Sequence, residues 1–593
     1  MNAEDLFTHP EFECLTITLA DSPSGDARER AAQAIAQAAR AVLGEDAGEW
    51  AIEEVDGSVP DDFDLLPPEG RHVSVQQAWD MAYALRDLES IPRAEPLFGV
   101  SYDAEDEEPL DPDEEKHLEA LPESVAVPGP PQSPIDWEWS PKLINAFEAW
   151  SVTSVDGQES RGQGVRVGHP DSGYMEHTEL NDAPIDGRSR VRAELGWDLI
   201  EDQPVQSNTT ESGHGLRTAS VLMSGQGKGD GTSSLMWITG VAPSAELVPF
   251  RVAKKRDIPP TPVLLPGGAR RLRQALYRAV HPPADCHVVS ISLGWLPSGA
   301  LHDAVKAARA ANVIVCAAAG NWTGFVVWPA RYPETIAVAG CTAGGEKWAG
   351  SCRGSTVDIT APAAGVYVAG PSNRVTRSSG TSFAVASVAG VAALWLSRWG
   401  REYIMDTCGV SDSNGEITLT DVFRAILAKA DGYPPPPDHD GGFGVGIINA
   451  RAVLETALPT PQEMRDFLAG EAQPEAIEGD AGGVGSVLGA LAMADNEGNR
   501  AAIAGALGTG KDELRDVVDG VGEEVAFHIL TSPALRNRLT QPGKEKEASA
   551  TPESLGGTLD LGKLSTRLRQ RLAADPHLRT TPPNGKYGPT ERR

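Results

Sequence analysis

The stretch at residues 287–320, HVVSISLGWLPSGALHDAVKAARAANVIVCAAAG, sets the fold class of the middle of the chain. It opens with a run of apolar and small residues that ends at Gly294, and it closes with a second apolar run at 313–320. Between the two runs, Leu301, Val305 and several alanines recur at helical spacing. Two strands of near-continuous apolar character joined by a helix are typical of a parallel sheet that helices cover on both faces.

The same alternation of strand and helix patterns continues on either side, from Trp137 to about Leu458. The further apolar runs include GVRVGHPD, AELVPFRVA, ETIAVAGC and VDITAPA. We therefore predict an α/β domain over residues 136–458, built on a mostly parallel sheet with helices on both faces.

The region before this domain has a different pattern. Residues 1–102 are predicted to form a small α+β domain, with strands at CLTITL, AIEEV and AEPLFGVSY and two helices between them. Residues 103–135 begin with the acidic run DAEDEEPLDPDEEKHLE and end in a proline-rich run. Such a composition predicts an exposed linker.

The region after the α/β domain is predicted to be helical over residues 459–540 and to end in a polar, partly disordered tail over 541–593. Within the tail, Leu561, Leu564, Leu568 and Leu572 recur at helical spacing. A short amphipathic helix of this kind is expected to dock on another protein surface, with the acidic N-terminal domain as one candidate. A solvated tail is the alternative.

The charge of the chain restricts its partners. The formal net charge is −33, and residues 1–125 carry 32 Asp/Glu against 7 Lys/Arg. Such a polyanion repels phosphate backbones, so we predict no nucleic-acid partner. Apolar runs such as 313–320 and 388–396 are about half of the roughly 20 residues that a membrane span needs, so we predict no membrane segment. The N-terminus lacks a secretory signal pattern, and we expect a cytoplasmic protein.

Three short motifs in the α/β domain place a reactive side chain beside glycine. Asp171 ends the apolar run VRVGHPDSG, His214 stands between two glycines in SGHGLRTAS, and Ser382 opens the small-residue segment SGTSFAVASVAG. The carboxyl ends of strands and the N-termini of helices are where open α/β sheets gather their sites. We therefore expect the three side chains to meet.

A serine, a histidine and an aspartate together perform nucleophilic catalysis. The hydroxyl is a poor nucleophile until an imidazole takes its proton. The imidazole in turn needs a carboxylate that fixes its tautomer and stabilises its charged form. A helix N-terminus at the serine supplies N–H donors where the oxyanion develops.

These residues resemble the motifs of the subtilisin-like serine peptidases, the subtilase family, over about residues 136–458. The resemblance implies a serine endopeptidase with Asp171, His214 and Ser382 as its triad and with Asn321, in AAAGN, supporting the oxyanion hole. It also implies that the segments SLG and AAG wall the substrate pocket and that an aliphatic residue before Trp-Pro forms its floor. We expect a medium-sized apolar side chain of the substrate in this pocket. The implied substrate-binding residues are Ser292, Leu293, Gly294, Ala319, Gly320 and Val327.

The chain departs from the family pattern at residues that flank the triad. Gly168-His169-Pro170 precede Asp171 where aliphatic residues are usual, Leu216-Arg217 follow the histidine motif, and Ala386-Ser387 replace Pro-His after the nucleophile. None of these changes replaces a triad side chain. A catalytically silent peptide-binding scaffold on the same fold is the alternative to an active peptidase.

The N-terminal domain resembles the propeptide domain of subtilases. This resemblance implies that the N-terminal domain inhibits the peptidase within the same chain, and that the chain cleaves itself between about Phe98 and Pro134. The expected substrates are proteins or peptides. A module that recruits substrates or partners is the alternative.

Two weaker motifs suggest ligands that we do not predict. VSDSNGEITLTD places Asp412, Asn414 and Asp421 at calcium-loop positions, but Val410 occupies the first of them, which normally supplies a ligand. A helix-capping loop is the more economical interpretation. GALGTGK at 505–511 resembles half of a phosphate loop, but an aspartate follows where Ser or Thr would hold magnesium. We predict that the protein needs no cofactor.

Overall fold

The computed structural model describes residues 10–20, 25–44, 49–54, 62–99, 137–181, 189–207, 213–225, 238–253, 268–321, 326–370, 374–411, 416–430, 432, 442–470, 520–532 and 562–574. These residues form an N-terminal unit over 10–99, an α/β unit around one large sheet over 137–470, and two separate C-terminal helices. The phosphate-loop-like motif and the linker at 103–135 lie outside the described residues.

The N-terminal unit is an antiparallel sheet in the order β2-β3-β1-β4 with two helices packed on it. Apolar side chains of β1 and β3, such as Leu15 and Phe63, form its core with Trp79 of α2. Its elements are β1 (Glu11–Thr18), α1 (Gly25–Leu43), β2 (Ala51–Glu54), β3 (Asp62–Leu66), α2 (Val75–Arg86) and β4 (Arg93–Gly99).

The prediction of three strands in this unit was wrong, because β3 is a fourth strand and pairs with both β1 and β2. Its sequence, DFDLL, buries the carboxylates of Asp62 and Asp64. Arginine side chains from elsewhere neutralise them: Arg93 binds Asp62, and Arg273 binds Asp64. Without those distant partners in view, the acidic residues are typical of a loop.

The second unit contains an eight-stranded sheet in the order β12-β11-β10-β9-β5-β8-β6-β7. All neighbouring pairs are parallel except β6 and β7, which confirms the predicted fold class. A hairpin, β13–β14, follows the sheet. The strands are β5 (Arg166–Asp171), β6 (Trp197–Asp198), β7 (Gln203–Pro204), β8 (Glu246–Arg251), β9 (Val288–Ile291), β10 (Ile314–Ala318), β11 (Ile336–Cys341), β12 (Ile359–Pro362), β13 (Val366–Gly370) and β14 (Arg374–Ser378).

Helices cover both faces of the sheet because side chains in each strand alternate between two cores. Val289 and Ile291 of β9 face the core with α7 and α8, whereas Val288 faces the core with α6 and α9. The helices are α3 (Trp139–Leu143), α4 (Ala146–Trp150), α5 (Thr178–Asn181), α6 (His214–Met223), α7 (Gly268–Val280), α8 (Gly299–Ala310), α9 (Thr381–Trp399), α10 (Arg401–Cys408), α11 (Leu419–Lys429), α12 (Ala450–Glu455) and α13 (Pro461–Gly470).

One helix in the described ranges, α9, has the length and apolar composition of a membrane span. Its most apolar window is 89% buried inside the protein, because the small residues of α9 pack against strands β9 to β12. This is the environment of a core helix.

The two C-terminal helices, α14 (Gly522–Thr531) and α15 (Thr566–Ala574), pack with the N-terminal unit. Leu564, Leu568 and Leu572 are buried in the core that contains Trp79 and Tyr83 of α2. The structure thus places the predicted amphipathic helix on the N-terminal unit. Leu561 lies outside the described residues.

Candidate active site

Ser382 is the second residue of α9, at the end of the helix where backbone N–H groups lack intrahelical partners. Its hydroxyl donates to the carbonyl oxygen of Ser292 at 3.3 Å, and the Ser292 hydroxyl donates back to the Ser382 carbonyl at 3.2 Å. These bonds connect the start of α9 to the end of β9. The helix N-terminus gives the surroundings of Ser382 a positive potential.

Asp171 and His214 form a buried pair between the end of β5 and the start of α6. The Asp171 Oδ1 atom is 2.7 Å from His214 Nδ1 and also accepts the Ser172 N–H at 2.6 Å. Burial alone would raise the pKa of Asp171, but the charge and hydrogen bond of His214 hold it below its ordinary value. An ionised carboxylate only accepts hydrogen bonds, so His214 Nδ1 carries a proton, and in the neutral imidazole Nε2 is the basic atom.

Glycine next to His214 allows α6 to reach the end of β5. A Cβ atom at Gly215 would lie 2.1 Å from the carbonyl oxygen of Gly173, so no larger residue fits there. Gly213, just before the helix, has a φ of 66°, which L side chains rarely adopt. The two glycines of the histidine motif therefore serve the close approach on which the Asp171–His214 bond depends.

Two further side chains surround the Asp171 carboxylate. Thr218, one helical turn after His214, has its hydroxyl 3.3 Å from Asp171 Oδ2 and 2.9 Å from Nε2 of His169. His169, one of the residues that depart from the family pattern, is buried with its Nε2 atom 3.8 Å from Asp171 Oδ2. Burial lowers the pKa of His169. The i, i+4 spacing of His214 and Thr218 was a usable signal for this contact that sequence reasoning missed.

Asn321 lies against the start of α9. Its Oδ1 atom accepts the Thr381 N–H at 2.9 Å and the Thr381 hydroxyl at 2.8 Å. Because a backbone N–H can only donate, this fixes which end of the amide faces Thr381. A Cβ at Gly380 would lie 3.6 Å from Asn321 Nδ2 and 3.7 Å from the Ser382 nitrogen, so both donors border the same small space.

The sequence-predicted pocket residues gather around Val327. A Cβ at Gly294 would lie 2.3 Å from Val327 Cγ2, and one at Gly320 would lie 3.0 Å from the same atom. Val327 is also joined to the AAG segment, since its N–H donates to the Ala319 carbonyl at 3.0 Å. Leu293 and Ser292 are buried beside them. The valine methyl groups fill the space between the two segments.

The described residues contain no group of three or more His, Cys, Asp or Glu side chains arranged to hold a metal ion. Of the calcium-loop pattern, Asp412 and Asn414 lie outside the described residues. Asp421 accepts the N–H and hydroxyl of Thr418 at 2.9 and 2.7 Å and the guanidinium of Arg309 at 2.7 Å. The described end of the loop is thus a capping box at the start of α11.

Comparison with known proteins identifies the family. Residues 162–423 match the model of the subtilase family. The chain is 31% identical to subtilisin DY of Bacillus licheniformis over 253 residues, which are 41% of this chain and 81% of that protein. It is 30% identical over 264 residues to the thermostable alkaline protease of Halalkalibacterium halodurans, 43% of this chain and only 64% of that protein. Among solved structures, MycP1 with its N-terminal propeptide removed aligns over 55% of this chain and all of that chain, at 19% identity and a TM-score of 0.40. The chain belongs to the subtilase family.

Proposed function

We propose that this protein is a serine endopeptidase. The observation that carries the proposal is the buried Asp171–His214 pair, in which Nδ1 holds the proton and Nε2 is left basic. His214 begins α6, which packs against α9, the helix whose second residue is Ser382. In this mechanism His214 Nε2 takes the Ser382 proton as Oγ attacks the peptide carbonyl carbon. The Ser382 N–H and the Asn321 amide donate to the oxyanion, and His214 then gives the proton to the leaving amine. Water attacks the acyl-enzyme by the same steps.

Covalent labelling separates this proposal from the silent scaffold. A fluorophosphonate probe reacts only with a serine that an adjacent base activates. We expect the full chain, freed of any inhibitory contact, to be labelled at Ser382 and the Ser382→Ala chain not to be labelled. A folded chain that binds peptides but does not react with the probe would support the scaffold.

We further propose that the N-terminal unit inhibits the α/β unit over 137–470, from here on the peptidase unit, until the chain is processed. Glu95 of β4 is buried and accepts three hydrogen bonds at the start of α8, from Ser298 Oγ, Gly299 N and Ala300 N at 2.7–2.8 Å. Asp64 of β3 is bound by Arg270 and Arg273 of α7, each at 2.6 Å. A carboxylate on a helix N-terminus and a buried ion pair are specific contacts that two unrelated surfaces would not share.

The end of β4 also lies close to the substrate-binding strand. Pro96 to Phe98 share a small cavity of about 40 Å³ with Trp295 and Leu296, which directly follow Gly294. Residues 100–136 follow β4 in the chain and contain most of the candidate scissile bonds. They lie outside the described residues. The position of the end of β4, beside Trp295 and Leu296, supports the proposal that the chain following it passes through the active site.

Replacing Glu95 with alanine tests this inhibitory contact. The change leaves the N–H donors of α8 without their buried anionic partner, so we expect the N-terminal fragment of the self-cleaved protein to bind roughly 10- to 100-fold more weakly. The measurement is recovery of peptidase activity on dilution. Glu69→Ala removes an exposed carboxylate of the same unit and should have no effect. Equal affinity for both variants would contradict the assigned contact.

Acid should release the inhibitor through Asp64. Burial raises the pKa of Asp64, but Arg273 and Arg270 outweigh it and hold the pKa below its ordinary value of 3.8. The contact therefore contributes stability above that value, and the contribution is lost as the pH falls through the lower pKa of the docked state. We expect the affinity of the cleaved fragment to fall steeply below about pH 4 and Asp64→Asn to flatten this dependence. If Asp64→Asn left the pH dependence of the fragment's affinity unchanged, the role assigned to Asp64 would be wrong.

Val327 is proposed to restrict the P1 side chain of the substrate. Its methyl groups occupy the space between Gly294 and Gly320, so small or medium apolar residues fit best. We expect Val327→Gly to raise the ratio of kcat/KM for phenylalanine over alanine at P1 by roughly 10- to 100-fold. The neighbouring Val326→Ala is the matched control. An unchanged ratio would place the specificity pocket elsewhere.

We also propose a cytoplasmic location. It is supported by the six cysteines, all of which are buried free thiols in the structure. Reduced thiols are the rule in that compartment. Cell fractionation with an antibody against the N-terminal unit tests it.

A further inference from the structure

We propose that α14 and α15, with their flanking residues 520–521, 532 and 562–565, form a C-terminal strap that retains the N-terminal unit after the linker is cut. This inference rests on the proposed function, because a retained inhibitor matters only for a peptidase that the N-terminal unit inhibits. The strap lies outside the peptidase unit and contains none of the candidate site residues.

The centre of the strap contact is a buried carboxylate. Glu524 of α14 is fully buried and accepts the hydroxyl of Tyr83 in α2 at 3.0 Å. The same carboxylate accepts the N–H and hydroxyl of Ser565 at 2.6 and 2.7 Å. One side chain therefore joins α14, the start of α15 and the N-terminal unit.

The start of α15 is held by the N-terminal unit itself. Asp80 of α2 accepts the N–H of Thr566 at 2.6 Å and its hydroxyl at 3.1 Å. Arg567 forms an ion pair with Asp87 and lies over the ring of Tyr83, 4.8 Å from its centroid. A negative group at a helix N-terminus and a cation over an aromatic face both stabilise this docking.

Aromatic packing extends the contact to the end of β4. The ring of Phe527 in α14 lies 4.4 Å from that of Phe98 and 6.1 Å from that of Trp79. Phe527 and Glu523 also line the small cavity beside Trp295. The strap thus covers the end of β4, where the range of candidate scissile bonds begins.

Two different segments of the chain connect the N-terminal unit and the strap to the peptidase unit. The N-terminal unit is joined to the peptidase unit covalently through residues 100–136, and self-cleavage would break that connection. The strap is joined to the peptidase unit through residues 471–519, which such a cut leaves intact. A cleaved N-terminal unit therefore remains tethered by its contact with the strap, at a high effective concentration. Full activation needs a second event that detaches the strap.

Two engineered cuts test the proposal in the full chain carrying Ser382→Ala, which prevents self-cleavage. Recognition sequences for two different site-specific proteases are inserted, one within 103–135 and one within 471–519. A fluorophore on the N-terminus reports, by gel filtration over time, how fast the N-terminal fragment leaves the peptidase unit. After the first cut alone we expect release to be about 10²-fold slower than after both cuts. After both cuts, residues 520–593 should leave together with the N-terminal fragment.

Equal release rates after one cut and after two, or a 520–593 fragment that stays with the peptidase unit, would overturn the proposal. In the singly cut protein, Leu568→Asp should speed release towards the doubly cut rate, because it places a charge in the buried face of α15. Val155→Asp, at an exposed apolar residue of the peptidase unit, is the control. Slow release that survives Leu568→Asp would also overturn it. Inhibition is measured separately in the chain with Ser382 restored. An N-terminal fragment that is retained but does not inhibit would refute the proposed inhibitory function and leave the strap proposal standing.

Discussion

Ser382→Ala is expected to lower peptide hydrolysis by about 10⁶-fold, and His214→Ala by a similar factor. The two side chains act as one unit, since the hydroxyl is inert without the base and the base has no proton to take without the hydroxyl. The double variant should therefore be no slower than either single variant. Measuring kcat on a chromogenic peptide, with active protein quantified by tight-binding inhibitor, checks the magnitude.

The matched control for this prediction lies in the same helix. Ser387 is buried in α9, and its hydroxyl donates to the Phe383 carbonyl at 3.0 Å. Ser387→Ala removes a hydroxyl of the same kind without touching the proposed site, and kcat should stay within a few-fold of the parent. Comparable losses for Ser387→Ala and Ser382→Ala would mean that the loss reflects damage to the helix and not to a nucleophile.

Asn321→Ala is expected to lower kcat by about 10²–10³-fold with little change in KM. The amide is held by Thr381 so that Nδ2 borders the space next to the Ser382 nitrogen, where an oxyanion would form. Its loss removes one donor that acts mainly in the transition state, while the nucleophile and its base stay intact. The variant should therefore still react with a fluorophosphonate, only more slowly.

Asn449→Ala provides the comparison for Asn321. Asn449 accepts the Ala452 N–H at 3.2 Å and caps α12. Its replacement should cost about 1 kcal/mol of stability and leave kcat unchanged. If Asn321→Ala raised KM instead of lowering kcat, the side chain would bind substrate and not the oxyanion.

The sequence was informative where a function depends on residues close together in the chain. Asp171, His214 and Ser382 each stand in a short glycine-containing motif, so these residues could be named as a candidate site from the amino-acid sequence alone. The sheet was predictable for a similar reason, because near-continuous apolar strands alternating with helices fit few architectures.

Features that depend on distant partners were not predictable. The acidic strand β3 buries Asp64, whose charge is neutralised by Arg270 and Arg273, about 200 residues later in the chain. The role of Glu95 depends on the start of α8, and that of His169 on its packing beside Thr218. A single sequence gives no indication of such pairings, since a buried carboxylate and an exposed one have the same letter.

The contact between the strap and the N-terminal unit forms late during synthesis of the protein. The N-terminal unit leaves the ribosome before Ser382 has been made, so the proposed inhibitor can fold before the proposed nucleophile exists. The strap is completed nearly 200 residues after Ser382, which at 5–20 residues per second is roughly 10–40 s later. Over that interval the nascent protein depends on contacts such as those of Glu95 and Asp64 alone. In the proposed mechanism, completion of α15 then secures the protein in its inactive form.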